Sequence, residues 1–160
     1  MNWISLIALC VSILSFVLTA YKYWIDFKEN KLKIGIDLIK YYGASDRHVY
    51  EINFVNETKN PVSVNKVVLC HIPTSTKIES HQNKVLLTKS KNIRNESSVL
   101  PINLSAYASE KAFLVFDTNE ILRTYYFEIY TSKGLTTFKP EKIKLKPKPL
   151  SNLGGVSINK

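Results

Sequence analysis

Between Trp3 and Tyr21 the chain reads WISLIALCVSILSFVLTAY, without one charged side chain. At ~1.5 Å per residue this is a helix of roughly 28 Å, close to the ~30 Å of a bilayer's hydrocarbon core. A cleaved signal peptide needs a basic leader, a shorter apolar core and small residues around the cut. Here only Met1 and Asn2 precede Trp3, and Leu18 stands where a small residue should lie before Ala20. The segment therefore predicts a membrane anchor over residues 1–24, followed by a linker over 25–30. Trp3 at one edge and Tyr21, Tyr23 and Trp24 at the other suit the headgroup level. Lys22, Lys28, Lys31 and Lys33 outnumber Asp26 and Glu29 beyond it, which predicts a cytoplasmic C-terminal part. Ser5, Ala8, Ser12, Ser15 and Thr19 step by three and four residues and form one seam of small side chains. Such a seam lets helices approach closely, so self-association or docking on another membrane helix is expected there; the hydroxyls can equally bond back to their own helix.

The remainder is polar enough to be soluble and long enough for one domain with a real core. The net charge of +9 lies entirely outside the apolar segment. Lysine dominates it, as an AT-rich coding sequence alone would produce. Cys10 falls in the membrane and Cys70 in an apolar strand pattern, so no disulfide framework is expected, as suits a reducing compartment. Asn56, Asn95 and Asn103 open glycosylation-type triplets that an Asn-rich chain produces by chance.

Alternation dominates the soluble part. Leu32, Ile34, Ile36 and Leu38 alternate with polar residues and glycine, and Tyr50, Ile52 and Phe54 do so in the next run. The turn from Asn56 to Pro61 leads into a third strand over residues 62–69. Shorter candidates lie at 76–79, 84–88 and 99–104, with 111–116 after a connection that has room for one helical turn. The clearest pair is 123–131 with 135–139, joined through Lys133-Gly134 as a tight hairpin. This predicts an all-β immunoglobulin-like sandwich of about seven strands over residues 31–140, without an intersheet disulfide or a core tryptophan. Residues 141–160 are a basic strand or loose tail. Lys142, Lys144, Lys146 and Lys148 either guard a sheet edge or, with Lys22, Lys28, Lys31 and Lys33, hold the domain to an anionic lipid surface.

Chemistry is sparse. His48, His71 and His81 form no metal-ligand spacing, and neither a nucleophile elbow nor a glycine-rich phosphate loop is present, so neither an enzyme nor a cofactor is expected. Asp46-Arg47-His48 reads as a solvated turn, and Asp117 with Glu120 as a turn and a helix cap. Tyr41, Tyr42, Tyr125, Tyr126 and Tyr130 offer rings for a protein partner or for stacking on nucleic acid. Little arginine and no nucleic-acid motif favour the protein partner.

The opening MNWISLI, the flank YKYWIDFKEN and the turn from Asn56 to Val64 (NETKNPVSV) resemble small single-pass membrane proteins of phages and prophages of low-GC Gram-positive bacteria. That resemblance implies a bacterial cell-membrane location and, for some members, superinfection exclusion, in which a resident phage's protein stops a second phage's DNA from entering. A host envelope accessory protein of the same architecture, and less so a basic nucleic-acid-binding domain at the membrane, remain open alternatives from the residues alone.

Overall fold

A computed structural model describes residues 2–29, 31–44, 46–90, 93–119, 124–140 and 147–153. The chain forms two units, Met1–Leu32 and Lys33–Lys160. The first is one α-helix, α1 (Trp3–Glu29), with its apolar side chains exposed. It runs past Trp24 through most of the expected linker, because YKYWIDFKE contains neither proline nor glycine to stop it. Within the span Trp3–Lys28 an 18-residue window reaches a mean hydropathy of 2.3, long and apolar enough to cross a membrane.

The second unit is mostly β-sheet. Its strands are β1 (Ile34–Gly43), β2 (Arg47–Asn56), β3 (Val62–His71), β4 (Lys77–Glu79), β5 (Leu86–Ser90), β6 (Ile93–Glu96), β7 (Ile102–Leu104), β8 (Ser109–Asp117), β9 (Tyr125–Thr131), β10 (Gly134–Phe138) and β11 (Lys148–Pro149). One sheet has the order β11-β1-β2-β8 and the other β10-β9-β3-β4, with β7 also on β3. Except for β1 with β11, the strand pairs are antiparallel. The two sheets share one core. Tyr50, Ile52 and Phe54 of β2 and Leu114 and Phe116 of β8 meet Val67 and Leu69 of β3 and Phe127 and Ile129 of β9. The alternation seen in the sequence is the cause: every second side chain must leave water, and two half-apolar sheets do this against each other.

The registers define two ends. Ile34 pairs with Asn56, Val55 with Ser109, Val62 with Leu104 and Val64 with Thr131. The start of β1 therefore shares one end, the tether end, with the turns 56–61, 105–108 and 131–134. Gly43, His71, Asp117 and Tyr125 mark the distal end. Asn56 organises the tether end from a buried position. Its Nδ2 donates to Asn60 O at 2.9 Å and Ser105 O at 2.8 Å, and its Oδ1 accepts from Thr58 N at 3.0 Å and Thr58 Oγ1 at 2.8 Å. That bonding replaces backbone pairing in a turn of six residues whose polar groups would otherwise be stranded.

A second apolar cluster lies on the other face of the β1–β2–β8 sheet. Tyr42, Val49, Val115 and Leu153 are its buried members, with Val85, Leu87, Phe113 and Leu150 packed against them. The β5–β6 hairpin and the short 3₁₀ turn Leu150–Asn152 cover it, and Asn95 Nδ2 donates to Leu153 O at 3.0 Å. Residues 148–153 are thus part of the fold rather than a loose tail. Leu150 and Leu153 supply what the alternation missed, because a two-residue strand and a single turn leave no period to read.

Other departures are local. Arg47 and His48 open β2 rather than lying in a turn. Residues 105–108 form a tight turn with Tyr107 at φ 52°, not a helical turn. The expected strand at 141–146 and Glu120 lie outside the described residues.

Leu153→Ala is expected to cost about 2–4 kcal/mol by opening a cavity in the second cluster. Asn56→Ala should cost roughly 2–4 kcal/mol by removing the acceptor of the buried Thr58 N–H and one donor each from the Ser105 and Asn60 carbonyls. Urea unfolding measures both, and losses under about 1 kcal/mol would contradict these assignments.

Candidate functional site

Because Val67 and Leu69 of β3, Ile78 of β4 and Phe127 and Ile129 of β9 turn inward, their neighbours share the outward face of the second sheet. Lys66, Val68 and Cys70 lie opposite Tyr130, Glu128 and Tyr126 in register, and Lys77 and Glu79 flank them on β4. Glu128 is the hub. Lys77 Nζ donates to both its oxygens, at 2.9 and 3.0 Å. Tyr130 Oη donates to Oε2 at 3.1 Å, with Tyr126 Oη 3.4 Å from Oε1. The Lys77 hydrogen bonds hold the Glu128 carboxyl below its ordinary value; burial opposes this and Tyr130 adds to it. The same bond pushes Lys77 up. Lys66 pairs with Glu79, and its Nζ sits 5.6 Å from the centre of the Tyr130 ring. Burial pushes the Cys70 thiol up, so it stays protonated and unreactive in neutral solution. Ionic bonds and tyrosine hydroxyls therefore brace this face. Its exposed apolar part is Tyr130, 37 % exposed, beside its cross-strand neighbour Leu135, 52 % exposed.

A smaller charged group joins β2 and β8 to the loop after β4. Arg47 Nε donates to Asp117 Oδ1 at 3.0 Å, and His81 Nε2 lies 2.7 Å from Asp117 Oδ2. Partial burial pushes the Asp117 carboxyl up, but its bonds to His81 and Arg47 outweigh that and hold it below the ordinary range. His81 N also donates to Val115 O, which ties this loop along β8. Among the described residues no three His, Cys, Asp or Glu side chains gather to hold a metal ion.

The tyrosines expected to meet a partner divide sharply. Tyr41, Tyr42 and Tyr125 are buried, which corrects that expectation for all three. Tyr41 and Tyr125 belong to the main core, where the Tyr41 hydroxyl lies 2.5 Å from His48 Nδ1, and Tyr42 belongs to the second cluster. Burial raises the pKa of both Tyr41 and Tyr125. Tyr126 and Tyr130 remain at the surface and share Glu128. Alternation shows that some of these rings must be inside; only the register shows which.

The seam residues Ser5, Ala8, Ser12, Ser15 and Thr19 all lie on α1, and Thr19 Oγ1 donates to Ser15 O at 2.8 Å within the helix. Lys28 Nζ lies 5.5 Å from the Trp24 ring centre and Lys31 Nζ 5.4 Å from that of Phe27, while Lys22, Lys33 and Lys148 are exposed. Lys142, Lys144 and Lys146 lie outside the described residues. Glu128 and Lys77 escaped sequence reasoning because a Glu inside an aromatic strand carries no motif. The available signal was its period: residue 128 falls on the outward side with 126 and 130.

Compared with protein-family models and with curated proteins, the chain matches none.

The depressed Glu128 pKa makes its ionised form a stabiliser above the unfolded value, near 4.5. That contribution disappears as the pH falls through the lower folded value. Glu128→Gln should therefore lower Tm at pH 7, and the gap from the wild type should narrow as the pH falls from 5 to 3. Parallel Tm–pH curves for the two proteins would refute the assignment.

Proposed function

We propose that the protein is a non-enzymatic binding module tied to a membrane by a single N-terminal span. The observation that carries this reading is the Trp3–Lys28 helix, whose apolar 18-residue window has a mean hydropathy of 2.3 and is not buried at all. A helix of that length and composition left in water would expose a large apolar surface, which soluble monomers avoid. The bias of Lys22, Lys28, Lys31 and Lys33 supports a cytoplasmic domain. The β-domain is read as immunoglobulin-like. Its order β1-β2-β8 corresponds to strands A-B-E and β10-β9-β3-β4 to G-F-C-C′ of that sandwich. Recognition is assigned to the outward face around Tyr126, Glu128, Tyr130 and Leu135.

The resemblance of the anchor flank and of the 56–64 turn to phage-encoded membrane proteins supports superinfection exclusion as the biological role. Tethering concentrates the domain at the surface that an injection complex must cross, so a weak contact suffices. Expressed in a susceptible Gram-positive host, the full chain should leave phage adsorption normal and block DNA entry for part of a phage panel. Removal of residues 2–24 should abolish both membrane retention and exclusion. Unchanged entry across the panel would overturn the exclusion role. Release of the intact chain from membranes by alkaline carbonate would overturn the anchor itself.

A further inference from the structure

The outer strands of a sandwich carry backbone N–H and C=O groups without a neighbour, and folds blunt such edges against further pairing. Among the described residues of the two main sheets, three of the four outer edges are blunted. The loops beside β8 close it: Ser98 N donates to Phe113 O and His81 N to Val115 O, both at 3.0 Å. β4 is only three residues long and carries Lys77 and Glu79. β1 is paired with β11 at Tyr42 and Gly43, has a bulge between Leu38 and Lys40, and exposes the charges of Asp37 and Lys40.

β10 differs from all of these. Gly134–Phe138 pair with β9 in unbroken register, and among the described residues no strand lies on the other side. The run GLTTF holds neither charge nor proline. At ~3.4 Å per residue it offers an open edge of roughly 17 Å. Leu135 and Thr137 are exposed along it, with Tyr130 beside Leu135.

Both ends of this edge are cationic. Lys133 precedes the strand and Lys139 follows it, and neither forms an ion pair among the described residues. The Lys133 ammonium is buried without a hydrogen-bond partner there, a cost that an arriving carboxylate relieves. Lys66 and Lys77 of the same sheet, in contrast, are already taken by Glu79 and Glu128. From Lys133 to Lys148 the sequence sets six lysines against one acid, Glu141. These charges decide which strand can add. Full-length antiparallel pairing of two copies about Thr136 would set Lys133 of one against Lys139 of the other at both ends. Like charges directly opposite destabilise such a pair, whereas acidic residues there would stabilise it.

We propose that β10 is a docking edge that takes, as an added strand, an extended segment of a partner protein with acidic residues at both ends. Backbone hydrogen bonds supply affinity that does not depend on side chains, Leu135 and Tyr130 offer apolar contact, and Lys133 and Lys139 set the sign of the charge. The inference rests on the binding-module reading and narrows its contact from a sheet face to an edge.

The test titrates the isotope-labelled full chain, in phosphatidylcholine nanodiscs, with the peptide DDTVTVTDD. One twin peptide carries lysines in place of the aspartates, and another is N-methylated on alternate residues. Amide shifts should centre on residues 134–138, hydrogen exchange should slow there, and the N-methylated twin should cause neither. The acidic peptide should bind about fivefold tighter than the lysine twin, as two exposed ion pairs provide. Lys139→Glu, at an exposed position, should erase or invert that preference with Tm unchanged. Shifts confined to the outward face around Tyr126 and Glu128, or equal binding of the N-methylated twin, would overturn the edge and leave the binding module standing. Protection of 134–138 that grows with protein concentration, without peptide, would make a second copy the occupant and overturn the acidic strand. No shift at millimolar peptide would overturn the edge too, while the phage-entry assay above judges the wider reading independently.

Discussion

Tyr50 is the joint on which the two sheets depend. Its ring stacks on Tyr41 at 4.7 Å and meets Phe127 at 5.2 Å, Tyr125 at 5.6 Å and Phe116 at 5.7 Å, centre to centre. Tyr41, Tyr50 and Phe116 belong to one sheet and Tyr125 and Phe127 to the other, so this cluster spans the interface. Both cysteines are free, and no covalent link does this work. Edge-to-face aromatic contacts contribute about 0.5–1.5 kcal/mol each beyond simple burial, and several converge on one ring. Burial drives the Tyr50 hydroxyl far above its ordinary pKa, so it stays un-ionised in neutral solution.

From that joint the rest follows in layers. Inward residues of β2, β3, β8 and β9 fix the register, and register fixes which tyrosines reach the surface. Tyr125 and Tyr126 are adjacent in sequence, yet one completes the core and the other joins Glu128. The outward face then needs only short-range chemistry, supplied by Lys77, Glu128, Lys66 and Glu79, to become rigid. The second apolar cluster covers the opposite face of one sheet towards the distal end, and the other sheet presents a polar surface.

Much of this was legible in the residues. Period-2 alternation marks β1, β2, β3 and β8, and Lys133-Gly134 marks the β9–β10 hairpin, with Gly134 at φ 127° as a tight turn requires. What escaped has a common cause. β6 is a polar run whose Asn95 is buried through hydrogen bonds rather than apolarity. β11 is two residues long, and Leu153 finds its place through residues far away in the sequence, Tyr42, Val49, Asn95 and Val115 among them. The Arg47–Asp117–His81 group is likewise assembled by pairing between distant strands. Local patterns report which side of a strand is apolar; they carry nothing about which strand lies beside it.

The parallel pairing of β11 with β1 has a mechanical consequence. Tyr42 and Gly43 lie beside Lys148 and Pro149, while the same strand is held by β2 over nine register positions. A pull transmitted through the tether acts along the axis of β1. Its hydrogen bonds to β2 and β11 are then loaded together in shear, instead of being peeled apart one after another.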